Sequence, residues 1–258
     1  MGEIAKKKEE NSFIVKRRKR KALKRNIIIF IFLIVILITL SLKLKIFDVE
    51  TIIVEGNNII SSEEIISTST LEKGNNIFYI NTKKIIKKIH DNPYIKNVKI
   101  SRRLPNTIIL NVEERSAFFY GESNNKYFII DRDSKLLQIK DEITNMNLIY
   151  IDGLDYTNAK VGEEILPKED RKNKVINDFS FLIENNTSGI DITSLDMKDI
   201  LSIKAYHNNM CIIIGTSDDI EGKLNKAINI ISSKPELSQS KGYINVSFKG
   251  NPVIFVEE

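Results

Sequence analysis

Residues 47–57 read FDVETIIVEGN, and this stretch, with the chain on to residue 115, carries the pattern from which the fold is built. Phe47, Val49 and Ile53 share one face of an extended chain, with Thr51 between them, and Gly56-Asn57 is a turn signal. Ser61 with Glu64 three residues later makes a capping box, and Ile60 with Ile65 a hydrophobic staple. A helix over roughly 62–69 is expected from that start. Asn81 caps a second helix, with Ile85, Ile86 and Ile89 on one face and Lys83, Lys84, Lys87 and Lys88 elsewhere. Asp91-Asn92-Pro93 ends it, because a residue before proline avoids the helical region. Two alternating segments come next. Val98 and Ile100 point inward in the first, and Ile108, Leu110 and Val112 in the second, with Arg103–Asn106 as the turn between them. The order is strand, helix, helix, strand, strand.

Upstream, residues 27–42 read IIIFIFLIVILITLSL, without a charge, glycine or proline. Sixteen residues of helix reach roughly 24 Å at about 1.5 Å per residue, somewhat short of the ~30 Å hydrocarbon core. Asn26 and Leu44 lengthen the span, and Lys43 and Lys45 snorkel to the headgroups. A membrane helix over 27–44 is expected. A cleaved signal peptide would have a shorter apolar core and a small-residue cleavage site, and none follows Leu42. A buried soluble helix is seldom apolar on every side.

Charge sets the orientation. The chain of 258 residues carries a net +5 and a pI near 9. Residues 1–26 hold eleven basic and three acidic side chains, so that segment is +8 and the remainder −3. Arg17, Arg18, Lys24 and Arg25 flank the apolar run on one side, against Lys43 and Lys45 on the other. The positive-inside rule puts the N-terminus in the cytoplasm and residues 43–258 outside. Beside such a helix the basic run serves topology and anionic lipid, so no nucleic-acid partner is expected.

Downstream, strands are expected at 127–130, 135–139 and 148–152, and a helix at 168–184. A hairpin runs through Ile203 and Ala205, turns at Asn208-Asn209 and returns through 211–214. A helix over 220–232 and strands at 243–248 and 253–256 close the chain.

Few residues point to chemistry. Asp131 and Asp133 suggest a calcium loop, but Lys135 stands where a ligand belongs and Leu136 where glycine is needed. Gly215, Gly222-Lys223 and a helix imitate a phosphate-binding loop, but with the wrong spacing and with Asp218, Asp219 and Glu221 to repel phosphate. One cysteine, Cys211, allows no disulfide and reads as a small core residue. His90 and His207 have no sequence-adjacent nucleophile. Glu113 and Glu114 point to opposite faces of a strand. No catalytic residue, metal, cofactor or small-molecule substrate is expected.

Several pieces occur in order: Val54–Asn57, Phe78–Asn81, Pro93–Ile100, Arg102–Thr107 and Ile108–Arg115. Together they resemble a POTRA domain, and in particular that of the FtsQ/DivIB cell-division family. Tyr127–Asp133, Ile151–Leu154, Val161-Gly162, the strand ending at Gly215, the helix with G-K-L-N-K-A and the terminal Y-I-N-V-S-F resemble the β-domain of the same family. The resemblance covers 43–256. It implies an α+β chain: a basic cytoplasmic tail (1–26), a transmembrane helix (27–44), a β-α-α-β-β POTRA domain (47–115) and a mixed β-domain (116–256). It further implies a non-enzymatic scaffold of the division septum. Its partners would be FtsB/DivIC-like and FtsL-like bitopic proteins, and its role to regulate septal peptidoglycan synthesis. The long C-terminal tail of some relatives is not expected beyond Glu257-Glu258. A membrane-anchored cell-wall enzyme, or a regulator of another pathway, is the alternative.

One binding mode comes from strand physics. A terminal strand presents unpaired N–H and C=O groups to which a partner strand adds. Val253 and Phe255 would offer one face and Ile254 and Val256 the other, with Phe248 and Lys249 just before them. The rival reading is that these six residues pack or solvate an ordinary sheet. Arg102 and Arg103 read as solvated turn residues more readily than as a partner contact.

Overall fold

The computed structural model describes residues 2–41, 43–144 and 146–257, and the side chains among them except those of residues 2–16 and 41. Leu42 of the expected membrane span, and the side chains of Lys6, Lys7, Lys8 and Lys16 of the basic tail, lie outside the described residues. A single helix, α1 (Gly2–Ser41), runs through both the tail and the apolar run. The tail is helical because its lysines, arginines and glutamates are straight-chain residues that lose little rotamer freedom in a helix. Every side chain from Arg17 to Leu40 is exposed. The stretch Arg17–Leu40 holds 24 residues, about 36 Å of helix at ~1.5 Å per residue, enough to cross a bilayer.

The chain divides into two compact units. One comprises Met1–Glu55, Ser62–Ile86 and Lys99–Asn111, and the other Gly56–Ser61, Lys87–Val98 and Val112–Glu258. A three-stranded sheet is built from β1 (Thr51–Glu55), β2 (Ile95–Arg103) and β3 (Thr107–Glu114), with β3 in the middle. β1 runs parallel to β3, Thr51 opposite Thr107 and Glu55 opposite Asn111. The helices α2 (Ser62–Ser69) and α3 (Thr82–His90) fall between β1 and β2 in sequence, giving the expected β-α-α-β-β order. Asn81 Oδ1 accepts the Lys84 N–H at 3.1 Å, the expected cap. Ile85 and Ile89 are buried.

Three local expectations change. Phe47 lies in a single 3-10 turn, Lys45–Phe47, and its ring meets Phe78 at 5.3 Å. Ile52, Ile53 and Val54 are all half-buried, so β1 does not alternate. In the central strand Ile109 is buried as well as Ile108, Leu110 and Val112, because β3 is flanked on both sides and shielded on both faces. Gly56 sits at φ +85°, where a Cβ would stand 2.2 Å from the Val112 carbonyl oxygen, so the turn after β1 requires glycine. The Glu114 carboxylate accepts the N–H groups of Asn58, Ile59 and Ile60 at 2.9, 2.6 and 2.9 Å. Arg102 is exposed, as expected, but it belongs to β2 and its guanidinium donates to the carbonyls of Ile77 (2.9 Å) and Ile80 (3.2 Å).

Nine strands make the second sheet. They are β4 (Phe119–Ser123), β5 (Lys126–Ile130), β6 (Leu136–Lys140), β7 (Ile149–Asp152), β8 (Ser194–Asp196), β9 (Ile203–His207), β10 (Met210–Gly215), β11 (Gly242–Asn245) and β12 (Val253–Val256). Their order is β12-β11-β10-β9-β8-β7-β4-β5-β6. Helices α4 (Arg171–Glu184) and α5 (Ile220–Ser233) supply Val175, Ile176, Phe179, Leu224, Ala227 and Ile231 to a core shared with sheet residues such as Phe119, Ile151, Leu195, Ala205, Ile212 and Ile244. Asp170 caps α4 through the Lys172 N–H at 2.8 Å, so that helix begins at Arg171 and not at 168. β4 and β8 carry weak strand signals. β8 is three residues long. β4 is interrupted by Gly121, where a Cβ would lie 1.9 Å from the Tyr156 hydroxyl.

Arg115 holds Asp131 (2.5 Å) and Asp133 (3.0 Å), so the two carboxylates that suggested a calcium loop grip a guanidinium. Cys211 is not a core residue. It is half-buried and sits opposite Tyr206 and Tyr243, on the face away from the helices. Burial raises its thiol pKa, and burial first, then Cys211, pushes the Tyr206 phenol up to about 12.

Candidate protein-docking edge

β12 has one neighbour. It pairs antiparallel with β11, Gly242 opposite Val256, Tyr243 opposite Phe255, Ile244 opposite Ile254 and Asn245 opposite Val253. Among the described residues no strand lies on its other side. The hydrogen-bond phase is fixed by one contact just past the strand: the Glu257 N–H donates to the Lys241 carbonyl at 2.8 Å. Directly opposed pairs in an antiparallel ladder alternate between bonded and non-bonded. Phe255 and Val253 therefore turn their N–H and C=O toward β11. Ile254 and Val256 turn theirs outward. The phase of β11 agrees, since Val246 donates to Ile213 of β10, leaving the odd-numbered residues for β12.

All four side chains of β12 are exposed: Val253 47%, Ile254 37%, Phe255 47% and Val256 41%. Phe248 is 43% exposed, and Lys249 is exposed beside it. The structure thus brings the six predicted residues to one end of the sheet, with both faces of the last strand uncovered. An ordinary edge strand hides one face or carries charge. The residues expected to flank the membrane, Arg17, Arg18, Lys24, Arg25, Lys43 and Lys45, lie along and just after α1, all exposed.

Sequence reading missed what seats β12. Tyr243 stacks on Phe255 with ring centroids 5.4 Å apart. Lys241 bridges Glu257 at 2.6 Å, and Lys226 of α5 donates to the Gly250 carbonyl at 3.3 Å. Gly242 is the tightest point, since a Cβ there would meet the Phe255 carbonyl oxygen at 2.0 Å. A Gly242→Ala variant is expected to push β12 off β11 at a cost of about 1–3 kcal/mol. Amide exchange should then quicken at Val253 and Phe255 while the core of the sheet stays protected; unchanged exchange at those two amides would refute this role for Gly242.

One pair resembles catalytic machinery. The ring of His207 meets the Asp191 carbonyl through Nδ1 at 2.6 Å and Ser238 Oγ through Nε2 at 3.1 Å. Asn208 Nδ2 also donates to the Ser238 carbonyl. His207 is buried, and the set ties the β9–β10 turn to the 3-10 segment Pro235–Ser238. These contacts make a structural brace.

Comparison with known proteins bears on this arrangement. Residues 47–115 match the family model described as POTRA domain, FtsQ-type. The chain is similar to a cell division protein DivIB of Clostridium acetobutylicum, 51% identical over 97% of this chain and 100% of that one. It is 44% identical to a DivIB of Clostridium botulinum, over 96% of this chain and 97% of the other. The DivIB of Bacillus subtilis is 29% identical over 90% of this chain and 84% of its own length. Identity at these levels, over nearly the whole length, assigns the chain to the FtsQ/DivIB family of cell-division proteins.

Proposed function

We propose that this protein is a non-enzymatic docking module of the division apparatus. A membrane span over 27–44, most of it in α1, anchors the chain with residues 1–26 in the cytoplasm, and a POTRA domain (47–115) and a β-domain (116–256) stand outside the membrane at the septum. The open edge of β12 captures a strand from another bitopic division protein of the FtsB/DivIC or FtsL kind. That capture couples the partner to septal peptidoglycan synthesis. The observation that carries the reading is the four-residue apolar edge, exposed on both faces, with the backbone groups of Ile254 and Val256 turned outward. Main-chain pairing supplies affinity and side-chain fit supplies selectivity. The charge asymmetry across α1 supports the orientation.

Depleting the protein and imaging the cells tests the role. Long filaments without septa are expected. Rounded, lysing cells with normally placed septa would instead support the rival reading, a cell-wall enzyme.

A further inference from the structure

The β12 edge is complementary to a second copy of itself. We propose that, in the absence of a partner, two copies pair through β12 in an antiparallel, two-fold register centred on Phe255, which closes both edges and withholds them from other strands. Such self-pairing goes beyond the partner-docking reading and uses the same edge.

The register is set by the phase of the outward groups. Of the four β12 residues, Ile254 and Val256 turn their N–H and C=O away from β11. An isologous pair centred on Phe255 sets Ile254 of each copy against Val256 of the other. Each such pair exchanges two hydrogen bonds, so both outward donors and both outward acceptors of each copy are used. Shifting the centre to Ile254 sets Val256 against Pro252, which has no N–H, and leaves the Val256 carbonyls without a donor. In the favoured register the two Phe255 rings, each stacked on its own Tyr243, meet as a non-bonded pair, the closer of the two antiparallel spacings.

Charge selects the same direction. β12 leaves through Glu257, and the turn before it carries exposed Lys249 and the ammonium group of Lys226 on the Gly250 carbonyl. Antiparallel pairing brings each copy's acidic end beside the other's basic turn. Parallel pairing would set Glu257 against Glu257. The contact is small. Four residues a side fall well short of the roughly 1,200 Å² that stable complexes bury, so the pair is weak and depends on confinement in one membrane. A weak self-pair suits an edge that must remain available to a partner, and it also shields a strand that would otherwise aggregate.

Cysteine cross-linking of the full chain in liposomes, in a Cys211→Ser background, reads the register directly. Opposed Cα atoms of a non-bonded pair lie about 4.5 Å apart, within disulfide reach. Phe255→Cys is the substitution at which a residue meets itself, so oxidation should give dimer, at least about fivefold more than Val253→Cys alone. Val253→Cys and Glu257→Cys face one another across the register. Mixing those two variants should restore the cross-link, a test that leaves the Phe255–Tyr243 stack intact. Dimer from Val253→Cys as abundant as from Phe255→Cys, or no dimer from the mixed pair, overturns the proposal. Partner capture is scored separately, by binding to the unmodified chain, so either idea can fail without the other.

Discussion

Replacing Ile254 with proline is expected to lower capture of a partner strand about tenfold or more while β12 stays on β11. The Ile254 N–H faces outward, so proline deletes a donor that only an incoming strand would use. One ladder bond is worth about 0.5–1.5 kcal/mol net, and the upper end is roughly tenfold in affinity. The ring adds a steric obstacle where the partner backbone must approach. Phe255→Pro is the informative contrast. The Phe255 N–H points toward Tyr243, so proline there removes a β11–β12 bond and detaches the strand. Binding of a partner's extracytoplasmic segment to the full chain, with circular dichroism as the check on folding, separates the two. A folded Ile254→Pro variant that binds as tightly as the parent would show that the edge is not used.

Arg115→Met is expected to cost about 3–5 kcal/mol, the usual penalty for stranding one member of a buried ion pair. The Asp131 side chain is 3% exposed and that of Arg115 is 16% exposed. Asp131 keeps the N–H groups of Asp133 and Lys135, at 2.9 and 2.8 Å, but loses its only cation within bonding distance among the described residues. Asp133→Asn should cost under about 1 kcal/mol, because that side chain is 43% exposed. Thermal melting of the two variants measures the difference. At about 2–4 °C per kcal/mol for a chain of this size, Arg115→Met should melt on the order of 10 °C lower. Equal melting temperatures would mean that the Arg115–Asp131 pair contributes nothing beyond a surface bridge.

Much of this architecture was legible in the sequence, and the failures have identifiable causes. The β-α-α-β-β order could be read because turns, caps and periodicity agreed, as in the Asn81 cap and the α3 stripe of Ile85 and Ile89. β12 was legible to the residue, being a short apolar run between Pro252 and Glu257. Strand order was not legible, because parallel neighbours such as β4 and β7 or β10 and β11 are joined by distant stretches of chain. β4 was missed because Gly121 reads as a breaker, when it is there to admit the Tyr156 ring, which stacks on Phe128 at 4.7 Å. The role of Arg102 depends on carbonyls more than twenty residues earlier in the chain. Cys211 was misplaced because a run of apolar neighbours cannot say which face of a sheet each occupies. At the β12 end of the sheet, the exposed residues proposed for docking were named from sequence. Which of them turn their backbone groups outward depended on the register with β11.

The proposed docking at β12 depends on that backbone phase, and hydrogen exchange measures it residue by residue. In the free full-length protein, held as a monomer in dilute detergent, the amides of Val253 and Phe255 should exchange slowly and those of Ile254 and Val256 fast. Saturation with a partner's extracytoplasmic segment should slow Ile254 and Val256 by about tenfold or more and leave the other two nearly unchanged. If Ile254 and Val256 exchange as fast in the saturated complex as in the free protein, the partner does not pair with β12, and strand capture at this edge is ruled out.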